Sequence, residues 1–301
     1  MAENSRKYLD PQNLAKLRGL RLRARTVVEG YIAGMHRSPY HGFSVEFAQH
    51  REYAPGDDLR YVDWKVYGRT DKFYLKQFEE ETNQICYLLL DISASMGYQG
   101  PAAPMSKLEF AKCVVASLAY LVLQQQDAVC MATFDSQARS FLRAAGHLAQ
   151  LENLLSELEN ACGKEKTALG PALHELAERL GKRGIVLVVS DFFDQLDSVL
   201  WGLRHLRHRR HDVIAVQVLD PAELEFPFHQ LAMFRGVEEE IRVVADPRAV
   251  RRAYLAGVNK FLRELKAGCR AHGIDYLQMR TDRPLGLALA NYLAHRARFS
   301  R

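Results

Sequence analysis

Three oxygen-bearing side chains, Asp91, Ser93 and Ser95, stand at every second position directly after an apolar run. One carboxylate and two hydroxyls make a hard, oxygen-only set with a single charge. Such a set suits Mg²⁺ or a similar cation and leaves room for further oxygen ligands. The run before them, residues 85–90, is apolar or aromatic without alternation. That pattern predicts a central strand covered on both faces. In open α/β sheets, ligands bind at the carboxyl ends of the strands. The chain therefore places these oxygens where such folds do their chemistry. Asp and Ser after a strand also make Asx turns and helix caps, and the three residues alone do not separate the two uses.

The strand needs partners, and the rest of the chain supplies them. Helices are predicted over 107–126, 147–159, 167–180, 196–207, 247–271 and 284–296, each from an apolar stripe at helical spacing. Strands are predicted over 128–134, 185–189, 213–219, 240–244 and 274–279, with Phe141 and Leu142 in a connector or edge strand. Strands alternating with helices read as an α/β fold with a doubly wound, mainly parallel sheet. Residues 1–84 do not follow this rhythm. Asp10-Pro11 opens a helix expected to run to about Ala33. A Gly- and Pro-containing loop follows, then a short strand at 45–48, a Pro55-Gly56 turn with a short helix beyond it, and a strand around 73–78. The expected division is a small α+β segment, 1–84, packed on an α/β domain, 85–301.

Composition bounds the function. With 301 residues, 48% hydrophobic and 26% charged, the chain is an ordinary globular sequence with ample core. A net charge of +5 is too mild to argue for nucleic acid. The five cysteines are widely spaced, lack a CxxC pair and lie mostly in apolar runs, as expected of free thiols in a reducing compartment. No run reaches the ~18 apolar residues of a membrane span, and the N-terminus has no apolar signal region. The expectation is a cytoplasmic protein that is not itself transmembrane.

Asp91-x-Ser93-x-Ser95 resembles the Asp-x-Ser-x-Ser pattern of von Willebrand factor A-type domains, which hold a divalent metal at a metal-ion-dependent adhesion site. That resemblance implies a further threonine from a later loop and an aspartate after a later strand. Thr167, just before a predicted helix, and Asp191, after the strand at 185–189, match these two positions. Thr167 is also a plausible helix cap. The words Gly34-x-His36-x-Ser38, Glu46-Phe47, Arg51-x-Tyr53-x-Pro55-Gly56-Asp57-Asp58-x-Arg60, Asp63-Trp64 and Lys76-x-Phe78-Glu79-Glu80-Glu81 are similar to those of the domain-of-unknown-function 58 (DUF58) family. That family sets such a segment before a von Willebrand A-like domain. The chain resembles its short type, without the two membrane helices of many relatives.

The resemblance implies a metal-dependent protein-interaction module rather than an enzyme. Its metal residues would be Asp91, Ser93, Ser95, Thr167 and Asp191, with Mg²⁺, Mn²⁺ or Ca²⁺ as the cation. The site has appetite for one more anionic oxygen, which a partner's carboxylate supplies in adhesion sites of this type. A MoxR-type AAA+ ATPase, or a client presented to it, is the implied partner. The alternatives are a Mg²⁺-dependent phosphoester hydrolase and nucleic-acid binding through the basic run 204–211. Against the first, the position two beyond Asp91 is Ser93 rather than a second Asp, and no phosphate-binding Gly-rich loop or nucleophile elbow appears. Against the second, a basic run at a helix C-terminus is favoured by the helix dipole alone. Asp57, Asp58 and Asp63 read as turn and cap residues, Arg51, Arg60, Lys65 and Arg69 as their ion-pair partners, and His36 as a structural hydrogen-bonding group.

Overall fold

The computed structural model describes residues 10–35, 50–52, 68, 74–76, 84–163, 165–238, 242–286 and 290. The chain forms two compact units, residues 36–82 and the rest. In the smaller unit, β1 (His50–Glu52) and β2 (Tyr74–Lys76) pair antiparallel, with Arg51 opposite Leu75. The strand expected at 45–48, the helix after Pro55, and His36, Asp57, Asp58, Asp63, Arg60, Lys65 and Arg69 lie outside the described residues. So does most of the closing helix expected over 284–296.

The larger unit is built on a six-stranded sheet. Its members in chain order are β3 (Ile85–Asp91), β4 (Ala128–Phe134), β5 (Ala138–Ala145), β6 (Ile185–Ser190), β7 (Asp212–Leu219) and β10 (Asp275–Arg280). In space the order is β10-β7-β6-β3-β4-β5. Counted within the sheet this is the doubly wound 3-2-1-4-5-6 arrangement, with β3 as the first strand. All neighbours are parallel except β5, which returns antiparallel against β4 with two register shifts. The Phe141-Leu142 segment is thus a full edge strand, and its shifts bend it as bulges do.

β3 is apolar throughout because both its faces are covered. Cys86, Leu88 and Leu90 join one core layer with α3 (Lys107–Gln124) and α4 (Ala149–Asn160). Tyr87 and Leu89 join the opposite layer with α5 (Leu169–Arg179), α6 (Leu196–His208) and part of α8 (Pro247–Ala271). The first layer also includes the N-terminal helices α1 (Pro11–Lys16) and α2 (Leu20–Met35), through Leu14, Leu20, Ala24, Val27 and Val28. Through this stripe residues 10–35 pack on the α/β body, where they cover α3.

Two expectations need correction. The single helix expected over 10–33 is broken at residues 17–19, where Gly19 adopts φ +84° and the Arg23 guanidinium donates to the Leu17 carbonyl at 2.9 Å. Only glycine takes that conformation without steric cost. The lone strand expected at 240–244 is half of a hairpin: β8 (Ala232–Arg235) pairs antiparallel with β9 (Arg242–Ala245). A helical turn, α7 (Pro221–Glu225), follows β7 and starts at an Asp220/Glu223 capping box.

Candidate metal centre

Asp91 ends β3, and Ser190 and Asp191 lie at the end of the neighbouring β6. The strand order reverses between these two strands, so the crevice there is the switch point of the sheet. Asp91 is fully buried. Its Oδ1 accepts the Ser93 N–H at 2.8 Å, and its Oδ2 accepts the Ser190 hydroxyl at 2.6 Å. Ser190 Oγ in turn accepts the Phe192 N–H at 2.9 Å. Phe192 is buried at φ +58°, a conformation that costs a non-glycine residue on the order of 1–2 kcal/mol. The turn that carries Asp191 is held against that strain.

Ser93 precedes a 3₁₀ turn, Ala94–Gly97, without capping it through its side chain. Its hydroxyl lies 3.1 Å from that of Ser95. The two serines therefore converge, as their spacing predicts. The loop bearing Thr167 is tied to the same place by backbone: Ala94 N–H donates to the Glu165 carbonyl at 3.1 Å. At Gly163 the approach is so close that a Cβ would lie 1.2 Å from the Ile92 carbonyl oxygen. Thr167 does not cap α5. Ala168 holds the cap position, and the Leu169 N–H is satisfied by Asp194 at 2.9 Å. The Thr167 hydroxyl instead donates to Glu238 Oε1 at 2.7 Å.

Asp191 is also fully buried. Its Oδ1 accepts the Phe193 N–H at 3.1 Å, and its backbone carbonyl accepts the Gln217 side-chain amide at 2.7 Å. Its Oδ2 lies 2.7 Å from Lys107 Nζ, which reaches Glu223 Oε1 at 2.6 Å. The same ammonium sits 5.5 Å from the Phe193 ring and 5.9 Å from the Tyr98 ring. Sequence reasoning missed Lys107, Ser190, Glu223 and Glu238. Signals existed for two of them. Lys107 is a cation at the start of a largely apolar helix, where the dipole disfavours it, and Asp220-Pro221-Ala222-Glu223 is a capping-box word at a strand end. Asp220 is itself buried and accepts the Gly100 N–H at 2.8 Å, pinning the loop after Ser95 to the end of β7.

The electrostatics are lopsided. Burial, and then the charge of Asp191, push the Asp91 carboxyl up to about 7, despite the bonds from Ser190 and Ser93. Burial raises Glu223 against the opposing pull of Lys107. Burial alone would lower Lys107, but Asp191 and Glu223 outweigh it and hold the ammonium charged. Lys107 is shared between Asp191 and Glu223, and Asp91 adds a third carboxyl that feels the charge of Asp191, so one ammonium does not balance all three when they are ionised. Among the described residues no three His, Cys, Asp or Glu side chains converge as a metal site, which leaves no soft, zinc-type set. The donors that do converge are hydroxyls and carboxylates, and with their surplus charge they fit a hard divalent cation.

The remaining candidates disperse. His205 meets Glu178 at 2.7 Å and lies beside the His174 ring, whereas His211 is buried edge-on against Tyr87. The 205/208/211 spacing thus makes no ligand set. Much of the basic run is paired: Arg207 with Asp212 at 2.6 Å and Arg209 with Glu178 at 3.6 Å. A cavity of about 670 Å³ lined by Arg183, Arg207, Lys266 and Arg270 lies by the first residues of β7 and β10, away from the carboxyl ends.

The chain is similar to several known proteins. The chain is 26% identical over 295 residues to the uncharacterized protein Rv1480 of Mycobacterium tuberculosis, an alignment spanning 96% of this chain and 91% of that one. Among solved structures, the conserved hypothetical protein BatB of Bacteroides thetaiotaomicron superposes with a TM-score of 0.50 at 17% identity. The superposition covers 71% of this chain and all but 1% of BatB, with 99% aligned. The SpRpn10 VWA domain matches 69% of this chain and 94% of its own length at 10% identity, with a TM-score of 0.41. The family model described as "Protein of unknown function DUF58" matches residues 49–261. That is well over half of the chain, and the protein belongs to the DUF58 family.

Proposed function

We propose that the protein is a metal-dependent protein-interaction module that binds an acidic group of a partner. Asp91, Ser93, Ser95, Thr167 and Asp191 would hold a Mg²⁺-type cation, with Ser190 and Lys107 positioning the two carboxylates. The observation that carries this reading is the hydroxyl-rich oxygen set, closed on two sides by buried carboxylates, with surplus negative charge at the switch point of the sheet. The cation would supply a Lewis-acidic position for an anionic oxygen from outside. The chain's own part is to fix the carboxylates, orient the hydroxyls and hold Asp191 in place through Lys107. Resemblance to the von Willebrand A and DUF58 patterns favours a MoxR-type AAA+ ATPase, or its client, as the partner, in the cytoplasm.

Binding fits the site better than hydrolysis. Among the described residues no hydrogen bond joins a histidine or cysteine to this oxygen set, so no histidine- or cysteine-based nucleophile–base pair stands beside it. Among the same residues no helix is long and apolar enough to cross a membrane. The test is capture of a purified MoxR-type ATPase by the tagged protein in Mg²⁺ and in EDTA, with Asp91→Asn alongside. The expected result is binding in Mg²⁺ that EDTA and the variant abolish. Equal capture in all three conditions would refute the metal bridge.

A further inference from the structure

We propose that Glu238 is a cis-acting ligand of this centre, carried in by the β8–β9 hairpin to occupy the position an external carboxylate would take. The inference rests on the cation-binding reading and adds a regulator to it.

Glu238 lies in the connection between β8 and β9, three residues beyond the terminal pair Arg235–Arg242. Its Oε1 accepts the Thr167 hydroxyl at 2.7 Å, across 71 residues of sequence. Thr167 is thus the one hydroxyl of the set that meets a carboxylate from outside the strand-end loops. The bond that fixes Glu238 in place comes from the Thr167 hydroxyl. A carboxylate oxygen that accepts one bond from a neutral hydroxyl keeps a lone pair for another electrophile. Its oxygens are of the same hard, anionic type as those of Asp91 and Asp191, and would add a third carboxylate to a set otherwise completed by neutral hydroxyls.

The hairpin is built as a separable arm. It stands outside the six-stranded sheet. Phe234 anchors it to the body, packing at 5.7 Å from Phe226 and 5.6 Å from Phe228, and Phe226 packs at 4.6 Å from Tyr254. Its larger aliphatic side chains face solvent: Met233 is 61% exposed and Val244, its cross-strand partner, 65%. Among the described residues an aromatic anchor, Phe234, and a polar latch, Glu238 to Thr167, tie the arm to the body. An acidic partner group must displace that latch before it can reach the cation.

The experiment combines Mn²⁺ titration followed by electron paramagnetic resonance with hydrogen exchange of residues 232–245, on the full chain. Wild type, Glu238→Gln and Asp91→Asn are compared, and a polyglutamate peptide serves as the carboxylate probe. Wild type is expected to bind Mn²⁺ and to protect the hairpin amides when it does. Glu238→Gln is expected to bind Mn²⁺ more weakly than wild type but clearly better than Asp91→Asn, to lose the Mn²⁺-dependent protection and to bind polyglutamate about tenfold more tightly, the factor for a competent state roughly one-tenth populated in wild type. If Glu238→Gln binds Mn²⁺ and matches wild type in both hairpin protection and polyglutamate affinity, the latch is wrong and the cation site stands. If wild type binds Mn²⁺ no better than Asp91→Asn, the cation site falls and the latch with it.

Discussion

Lys107 and Asp191 form an ion pair that solvent does not reach: Nζ lies 2.7 Å from Oδ2, with the side chains 1% and 0% exposed. The lysine opens α3, where the helix dipole disfavours a cation. It is stable there because it is shared between Asp191 and Glu223. Breaking a buried pair by removing one partner costs about 3–5 kcal/mol, since the remaining charge is stranded. Lys107→Met strands two. Its unfolding free energy, measured in denaturant, is expected to fall by at least that amount. A loss below about 1 kcal/mol would mean that water reaches these carboxylates in solution.

Cation binding to the native state alone raises stability by mass action, by about 2.7 kcal/mol at a concentration 100 times Kd. Thermal unfolding of the wild type is expected to shift upward in Mg²⁺ relative to EDTA. Ser93→Ala, which removes one converging hydroxyl, is expected to lose most of that shift while unfolding near the wild-type temperature in EDTA. An unchanged Mg²⁺ response in Ser93→Ala would remove this serine from the ligand set.

Gly163→Ala tests the joint between the two loops. Its Cβ would overlap the Ile92 carbonyl, which is backbone and cannot rotate aside. One of the loops bearing Ser93 and Thr167 must move. The expected result is a stability loss of about 1–3 kcal/mol and loss of the Mg²⁺-dependent thermal shift, with native far-ultraviolet circular dichroism. A normal Mg²⁺ response would show that the two loops need not touch.

His211 gives a pH dependence. Its ring is buried against Tyr87 at 5.2 Å, and burial, then Arg209, holds its pKa below the ordinary value. The folded state keeps it neutral while the unfolded chain takes up a proton near pH 6.5. Its contribution is therefore complete above about pH 6.5 and declines as pH falls from there towards the folded pKa. Asp91, raised to about 7, slopes the other way over this range, so the readable quantity is the difference between wild type and His211→Phe. Lowering the pH from 7 to 5 is expected to shift that difference in favour of the variant. A pH-independent difference would show the histidine to be protonated alike in both states.

The strand–helix alternation from Ile85 onward was readable because burial on both faces writes a continuous apolar run, and capping words such as Asp246-Pro247 mark helix starts. The residues that converge from one loop, Ser93 and Ser95, were equally readable, since their distance is set by local geometry. The β8–β9 hairpin was half missed because strands of four residues give too little periodicity. The break at Gly19 was missed because Leu14, Leu17 and Leu20 keep helical spacing across it.

By itself, then, the sequence determined the alternating elements, the carboxylate at the end of the first sheet strand, and the hydroxyls beside it, because propensity, capping and periodicity act between near neighbours. Only the tertiary structure decided that β6 lies beside β3, so that Asp191 shares one buried crevice with Asp91. It alone decided that Lys107 compensates Asp191 and that Glu238 reaches Thr167. These pairings join residues 71 to 100 positions apart in the chain. They follow from strand order and from the need of each buried charge for a partner, neither of which any local spacing encodes.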